Sequence, residues 1–195
     1  MIERSTRTGF IFAADGTRVN EADNLLRSTD FTGARITMGE IHAFIHRGIV
    51  FDLSDKIELA GNETLYITGM PNGKIVHFHK EFYSVSQGGI EVRLLENVTA
   101  TSGTAVTGLN RNRVSTNTSS FVIKKGATVT DTGLPLRLIG FPASSNPTTR
   151  SVQSAAETEE WILKNGTTYA IEIKNLSADA KTVYADFSWY ELSPP

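Results

Sequence analysis

Residues 182–192 read Thr-Val-Tyr-Ala-Asp-Phe-Ser-Trp-Tyr-Glu-Leu, and this stretch decides the fold class. Val183, Ala185, Phe187 and Trp189 stand at every second position, and side chains two apart on a strand point to the same face. The residues between them, two tyrosines, an aspartate and a serine, form the opposite face. This alternation predicts a β-strand with one face in the core.

The same pattern recurs towards the N-terminus. Residues 90–94 alternate apolar with charged side chains, which predicts another strand with one buried face. Strong turn signals separate such runs: Pro71-Asn72-Gly73, Gly88-Gly89 and Asn165-Gly166. Roughly eight to ten strands without alternating helices predict an all-β fold, an antiparallel β-sandwich of jelly-roll type.

Three segments lead to less regular predictions. Ile41 to Leu53 is rich in β-branched and aromatic residues, so we predict one bent strand or two, broken at Arg47-Gly48. Ala143 to Ser154 is polar and reads as a loop. Glu157 to Lys164 fits either a helical turn or a strand.

The first 38 residues differ in composition from the rest. They are polar, with a hairpin signal at Asp15-Gly16 and a possible short helix from Asn20 to Arg27. We therefore divide the chain into an N-terminal arm, residues 1–38, that is polar and partly extended, and a β-sandwich domain, residues 39–195. The alternative for the arm is a frayed terminus.

Composition excludes several classes of protein. The 195 residues are 39% hydrophobic and 21% charged, which is typical of a folded domain. The net charge of −2 argues against a general nucleic-acid binder, and no apolar run is long enough for a membrane span. Cysteine is absent, which excludes disulfides and thiol chemistry, and no apolar signal region follows the N-terminus. We expect synthesis in the cytoplasm.

The histidines form two pairs. His77 and His79 lie two apart, and His42 and His46 lie four apart, so each pair shares a face if its segment is extended. A metal centre needs further ligands, and no carboxylate stands at a suitable spacing. We predict solvent-facing histidines, no metal site and no cofactor.

Acidic residues provide the one candidate for catalysis. Glu157, Glu159 and Glu160 could supply the paired carboxylates of a glycosidase. Clustered acids beside a turn are more often a solvated edge, and no serine nucleophile motif is present. We predict no enzymatic activity.

The segment from Thr107 to Ser120 is long, polar and placed between strands. Long loops inside compact domains are usually functional or disordered. Its centre, Asn110, Arg111, Asn112 and Arg113, is our candidate partner-binding site, because arginine is enriched at interface hot spots. The alternative is a solvated loop whose arginines pair with local acids.

This Asn-Arg-Asn-Arg run, with Val92 to Glu96 before it and Thr130 to Gly133 after it, resembles structural proteins of tailed bacteriophages. Residues 160–169 and the C-terminal Trp-Tyr-Glu at 189–191 share the resemblance, which covers about residues 60–192. It implies a virion component without enzymatic activity. The resemblance favours a capsid decoration protein on the outer capsid surface, binding the major capsid protein and stabilising the head.

Decoration proteins of this kind commonly form homo-oligomers, and we expect a trimer or, alternatively, a dimer. The second possibility is a tail or fibre component that binds a host receptor or glycan. In that case Tyr184, Tyr190 or Trp161 would provide an aromatic platform for the sugar.

Overall fold

A computed structural model of the chain describes residues 11–12, 18–19, 40–86, 88–143, 150–154 and 160–194. These residues contain one helix, α1 (Glu40–His46), and sixteen strands. The strands are β1 (Ile11–Phe12), β2 (Arg18–Val19), β3 (Val50–Leu59), β4 (Thr64–Met70), β5 (Ile75–Ser86), β6 (Ile90–Glu96), β7 (Thr99–Thr101), β8 (Thr104–Val106), β9 (Leu109–Asn110), β10 (Val122–Lys125), β11 (Thr128–Asp131), β12 (Leu134–Phe141), β13 (Arg150–Ser154), β14 (Trp161–Leu163), β15 (Tyr169–Asn175) and β16 (Lys181–Leu192).

Two large antiparallel sheets form the body of the molecule. Sheet I has the strand order β13-β5-β16-β3-β9, and β14 also pairs with β5. Sheet II has the order β12-β6-β15-β4-β10-β8. Consecutive strands from β3 to β6 alternate between the two sheets, so each turn between them carries the chain from one sheet to the other. The predicted all-β, antiparallel architecture is confirmed.

Side chains from the inner faces of both sheets form one hydrophobic core, which makes the body sandwich-like. Trp189 and Phe187 on β16 face this core together with Ile173 on β15 and Val92 on β6, and each is at most 2% exposed. Complete burial of such side chains contributes roughly 1.5–3 kcal/mol each. The predicted inward face of residues 182–192 is confirmed.

An insertion, residues 97–133, separates β6 from β12 and contains five short strands. β9 pairs with β3 at the edge of sheet I, and β10 pairs with β4 in sheet II. β8 continues sheet II beyond β10, while β7 and β11 pair with each other. The insertion thus extends both sheets, and the candidate loop Thr107 to Ser120 lies within it.

The prediction of a strand from Ile41 was wrong, because residues 40–46 form helix α1. Ile41, Phe44 and Ile45 have the i, i+3, i+4 spacing of a helix and pack against Tyr190 on the outer face of sheet I. Helix packing therefore outweighs the β propensity of isoleucine. The predicted break at Arg47-Gly48 is where the helix ends.

Other predictions about local structure have mixed outcomes. The segment Ala143 to Ser154 was predicted to be a loop, but its last five residues form strand β13. This strand pairs with β5 at the edge of sheet I although its sequence is polar, because the pairing is made by backbone groups. The turn at Asn165-Gly166 exists, but β14 and β15 beside it belong to different sheets. Ile11 pairs with Val19, as the predicted hairpin requires. Its turn at Asp15-Gly16 and the predicted helix at Asn20 to Arg27 lie outside the described residues.

Within the described residues, α1 is far too short and too polar to cross a membrane, and no helix there could do so.

Candidate interaction site at the end of helix α1

The candidate loop packs against the C-terminal end of α1 instead of extending away from the body. β9 leads into it beside β3, where the backbone N–H of Arg111 donates to the carbonyl of Val50 at 2.9 Å. Gly108 lies so close to Trp189 that a β-carbon there would come within 2.4 Å of the indole ring. This glycine allows the loop to enter across the edge of the core.

Three asparagine amides of the loop bind backbone carbonyls at the end of α1. Asn112 Nδ2 donates to the carbonyl of His46 at 3.0 Å, and Asn110 Nδ2 donates to the carbonyl of Gly48 at 2.9 Å. Asn117 Nδ2 also donates to Gly48, at 3.1 Å. The last carbonyls of a helix have no partner within the helix, so these amides act as a cap supplied by another segment.

The helix itself ends in a Schellman motif. Gly48, with φ of 65°, donates its N–H to Ile45, and the N–H of Ile49 reaches back to Phe44. A side chain at position 48 would collide with Ser115, whose Oγ lies 2.2 Å from the place of a β-carbon. The helix end and the loop are therefore fitted to each other around this glycine.

Glu191 on β16 fixes the returning half of the loop. Only 2% exposed, it accepts hydrogen bonds from the hydroxyl of Ser119 and from both the N–H and the hydroxyl of Ser120. The indole N–H of Trp189 donates to it at 3.2 Å. Burial alone would raise the pKa of Glu191, but these hydrogen bonds outweigh burial and hold the pKa below its ordinary value.

The predicted site residues divide into two groups. Asn110 is buried and Asn112 half-buried, and both are engaged within the chain, whereas the two arginines point outward. Arg111 lies 3.2 Å from Asp52 in an ion pair that is about 40% exposed on the arginine side. Arg113 is exposed and makes no ion pair with any described residue.

A third arginine stands at the end of α1, where the backbone carbonyl of Arg47 accepts the Asn117 amide of the loop at 3.5 Å. Arg47 is exposed at the end of α1, with its guanidinium carbon 5.7 Å from the centre of the Phe44 ring. We name Arg47, Arg111 and Arg113 the arginine corner. Among the described residues, Asp52 is the one carboxylate that pairs with it, so three guanidinium groups face a single acid there on a chain whose net charge is −2.

The prediction of solvent-facing histidines was wrong for His77 and His79. They do share a face, but Tyr190 packs against both, with ring centres 4.5 Å away for His77 and 5.8 Å for His79. His79 is 7% exposed, and His77 Nδ1 lies 2.6 Å from Glu160 Oε1. Tyr190 packs in turn against Phe44 of α1, which helps to cover this face.

The glycosidase candidates are only partly described. Glu160 is exposed and bonds to His77, while Glu157 and Glu159 lie outside the described residues. Of the aromatic platform candidates, Tyr190 is buried and Trp161 half-buried. Tyr184 is 52% exposed and lines an open groove of about 320 Å³. Its other walls come from the following residues: Ser54, Asp55, Lys56, Phe82, Ala185 and Asp186.

Among the described residues, no three His, Asp or Glu side chains are grouped as metal ligands would be. No family model, curated protein or solved structure matches this chain.

The part of the site that sequence reasoning missed is the frame of the loop. Asn117 and Glu191 were not singled out, because their partners are far away in the sequence. One signal was available for Glu191, since it follows Trp189 by two residues and is therefore an acid on the inward face of a strand. A buried acid needs hydrogen-bond donors.

Proposed function

We propose that this chain is a non-enzymatic structural protein of a tailed-phage virion, which decorates the outer capsid surface by binding the major capsid protein. The observation that carries this proposal is the arginine corner. The segment that resembles phage structural proteins presents its two arginines outward, while its asparagines hold it in place.

Rigidity is what makes the corner suitable for docking. Ordering a mobile loop on binding reduces affinity, and here Asn110, Asn112 and Glu191 order the loop beforehand. Arginine forms paired hydrogen bonds with carboxylates, so the partner surface on the major capsid protein would be acidic. The resulting complementarity would set the docking register on a repeating lattice.

We also propose that the body is a jelly roll, and the strand order supports this. Eight long strands, β3, β4, β5, β6, β12, β13, β15 and β16, follow one another in the sequence. Numbered one to eight, they have the order 6-3-8-1 in sheet I and 5-4-7-2 in sheet II. Two interleaved Greek keys give this order, and jelly rolls recur among viral capsid domains.

We also propose that the chain assembles as a homo-oligomer, with a trimer favoured over a dimer. Closed symmetry would bring copies of the loop Thr107 to Ser120 together around an axis. Facing copies of Arg113 would repel each other there, so acidic groups of the capsid or of a neighbouring copy would have to lie between them.

The test is the double substitution Arg111→Ala and Arg113→Ala. We expect loss of capsid occupancy or of oligomer mass with an unchanged fold, because an exposed pair such as Arg111–Asp52 contributes at most about 1 kcal/mol to stability. The matched control is Lys124→Ala with Lys164→Ala, which removes two exposed cations elsewhere. Cryo-EM occupancy and native mass unaltered in the arginine variant would refute the proposed role of the corner.

A second candidate function is favoured by Tyr184. An exposed aromatic ring in a groove with hydroxyl and carboxylate groups is suited to stacking on a sugar, as in a glycan-binding tail or fibre component. Tyr184→Ala should then abolish binding on a glycan array, while Tyr184→Phe should largely retain it. An array without binding to the unmodified chain would leave the decoration role as the sole proposal.

A further inference from the structure

We propose that His42 and His46 form a chelating site for a divalent transition metal ion, with Cu²⁺ preferred. The site lies on α1 and is independent of the proposed function. Both imidazoles are exposed, and their Nε2 atoms are 2.9 Å apart.

The helix is what brings these two side chains together. An extended segment would separate residues four apart by about 13 Å, which is too far for two rings to share one ion. On a helix, positions i and i+4 lie one turn apart on the same face. The two ring centres are accordingly 4.8 Å apart.

Chelation needs little movement of the two side chains. Two imidazoles that share one ion at about 2.05 Å have nitrogens about 2.9–3.3 Å apart, and the hydrogen bond already holds the two Nε2 atoms 2.9 Å apart. Among first-row divalent ions, a site with nitrogen ligands binds Cu²⁺ most tightly. Water would fill the remaining positions, since only these two ligands come from the described residues.

The hydrogen bond between the two rings must be given up when the ion binds. One ring now donates an N–H to the nitrogen of the other, so one Nε2 carries a proton. Metal binding needs a bare Nε2 on both rings. That proton leaves to solvent while the Nδ1 of the same ring takes one up, and both rings stay neutral.

The surrounding structure holds the two ligands in place. Phe44 is buried on the opposite side of α1, which keeps the histidines directed outward. The carbonyl of His46 accepts the Asn112 amide, and the Schellman motif fixes the last turn. The adjacent cation, Arg47, lies over the Phe44 ring. A preorganised pair loses little conformational entropy on chelation.

The test is titration of the full, untagged chain with Cu²⁺, Ni²⁺ and Zn²⁺ salts, followed by calorimetry and by electron paramagnetic resonance of the Cu²⁺ form. We expect one Cu²⁺ per chain with two nitrogen ligands, and the affinity order Cu²⁺ above Ni²⁺ and Zn²⁺. His42→Gln and His46→Gln should each weaken Cu²⁺ binding at least about tenfold, because the second contact of a chelate is intramolecular.

A spacing control separates chelation from binding to single histidines. His46→Gln combined with Arg47→His keeps two histidines but places them five residues apart, off the common face. The Arg47→His change also removes a positive charge next to the site, and this loss of charge by itself would favour metal binding. We expect the same loss as in His46→Gln, with an unchanged circular dichroism spectrum in the absence of metal. Equal Cu²⁺ affinity in the spacing control and the natural chain, or a spectrum with a single nitrogen, would overturn the proposal.

Discussion

Glu191 accepts two hydrogen bonds from Ser120, one from its backbone N–H at 2.9 Å and one from its hydroxyl at 2.6 Å. Seventy-one residues separate the two in sequence. The contact joins the last strand of sheet I to the point where the insertion returns to sheet II. It explains why a polar loop can lie beside the core without exposing Trp189.

Glu191→Gln should lower the free energy of unfolding at neutral pH by about 1.5–3 kcal/mol, since hydrogen bonds to a buried charged acceptor are lost. The amide nitrogen introduced by this substitution is itself a donor, and it would face the donors of Ser119, Ser120 and Trp189 without being able to accept from them. Urea unfolding of both proteins at pH 7 measures the difference.

The same pair predicts a pH dependence. The pKa of Glu191 is lower in the folded chain than in the unfolded one, so its stabilising contribution is complete above the unfolded value of about 4.3. The contribution is lost as the pH falls through the folded pKa. The stability difference between the natural chain and E191Q should therefore shrink as the pH falls below about 5. A difference that stays constant would contradict this assignment.

Asn112→Ala should destabilise the end of α1 by about 1–2 kcal/mol, because the carbonyl of His46 and the N–H of Val114 both lose their partner. Hydrogen exchange at the amides of residues 47–49 should become faster. The matched control is Thr116→Ala, an exposed position in the same loop that makes no hydrogen bond with described residues. Equal exchange rates in the two variants would show that the amide does not cap the helix.

Gly48→Ala and Gly73→Ala form a matched pair. Both glycines have positive φ, 65° and 79°, so each alanine brings a backbone strain of about 1–2 kcal/mol. A β-carbon at Gly73 meets nothing within 4 Å, whereas at Gly48 it meets Ser115. We expect G48A to be the more destabilised by about 1–3 kcal/mol.

Thermal unfolding of both glycine variants measures this, and the double variant G48A/S115G should regain part of the loss. No recovery would show that strain in the backbone of Gly48, rather than contact with Ser115, causes the effect.

The sheets were predictable because their signal is local. Strands β6 and β16 show the alternation of core and surface residues directly, and the turns at Pro71-Asn72-Gly73, Gly88-Gly89 and Asn165-Gly166 carry their own glycine or asparagine. Helix α1 was not predicted, since residues 41–45 combine β-branched side chains with helical spacing. Packing on Tyr190, which lies far along the chain, decides between the two.

The candidate site was predictable only in its outward half. The sequence singled out Arg111 and Arg113 as candidate contact residues, and both are exposed in the structure. The inward half depends on carbonyls of α1 and on Glu191, whose distances in sequence leave no periodic signal. Whether the arginines bind a partner stays a prediction.

Glu96 and Leu134, the residues on either side of the insertion, are register partners in sheet II. The excursion through residues 97–133 therefore departs from and returns to one point of the sandwich. A segment of this kind behaves as a cassette, because its length and sequence can change through evolution without moving the eight long strands. New binding specificity can arise there while the core keeps its register, provided that each new cassette again covers Trp189 and supplies donors to Glu191.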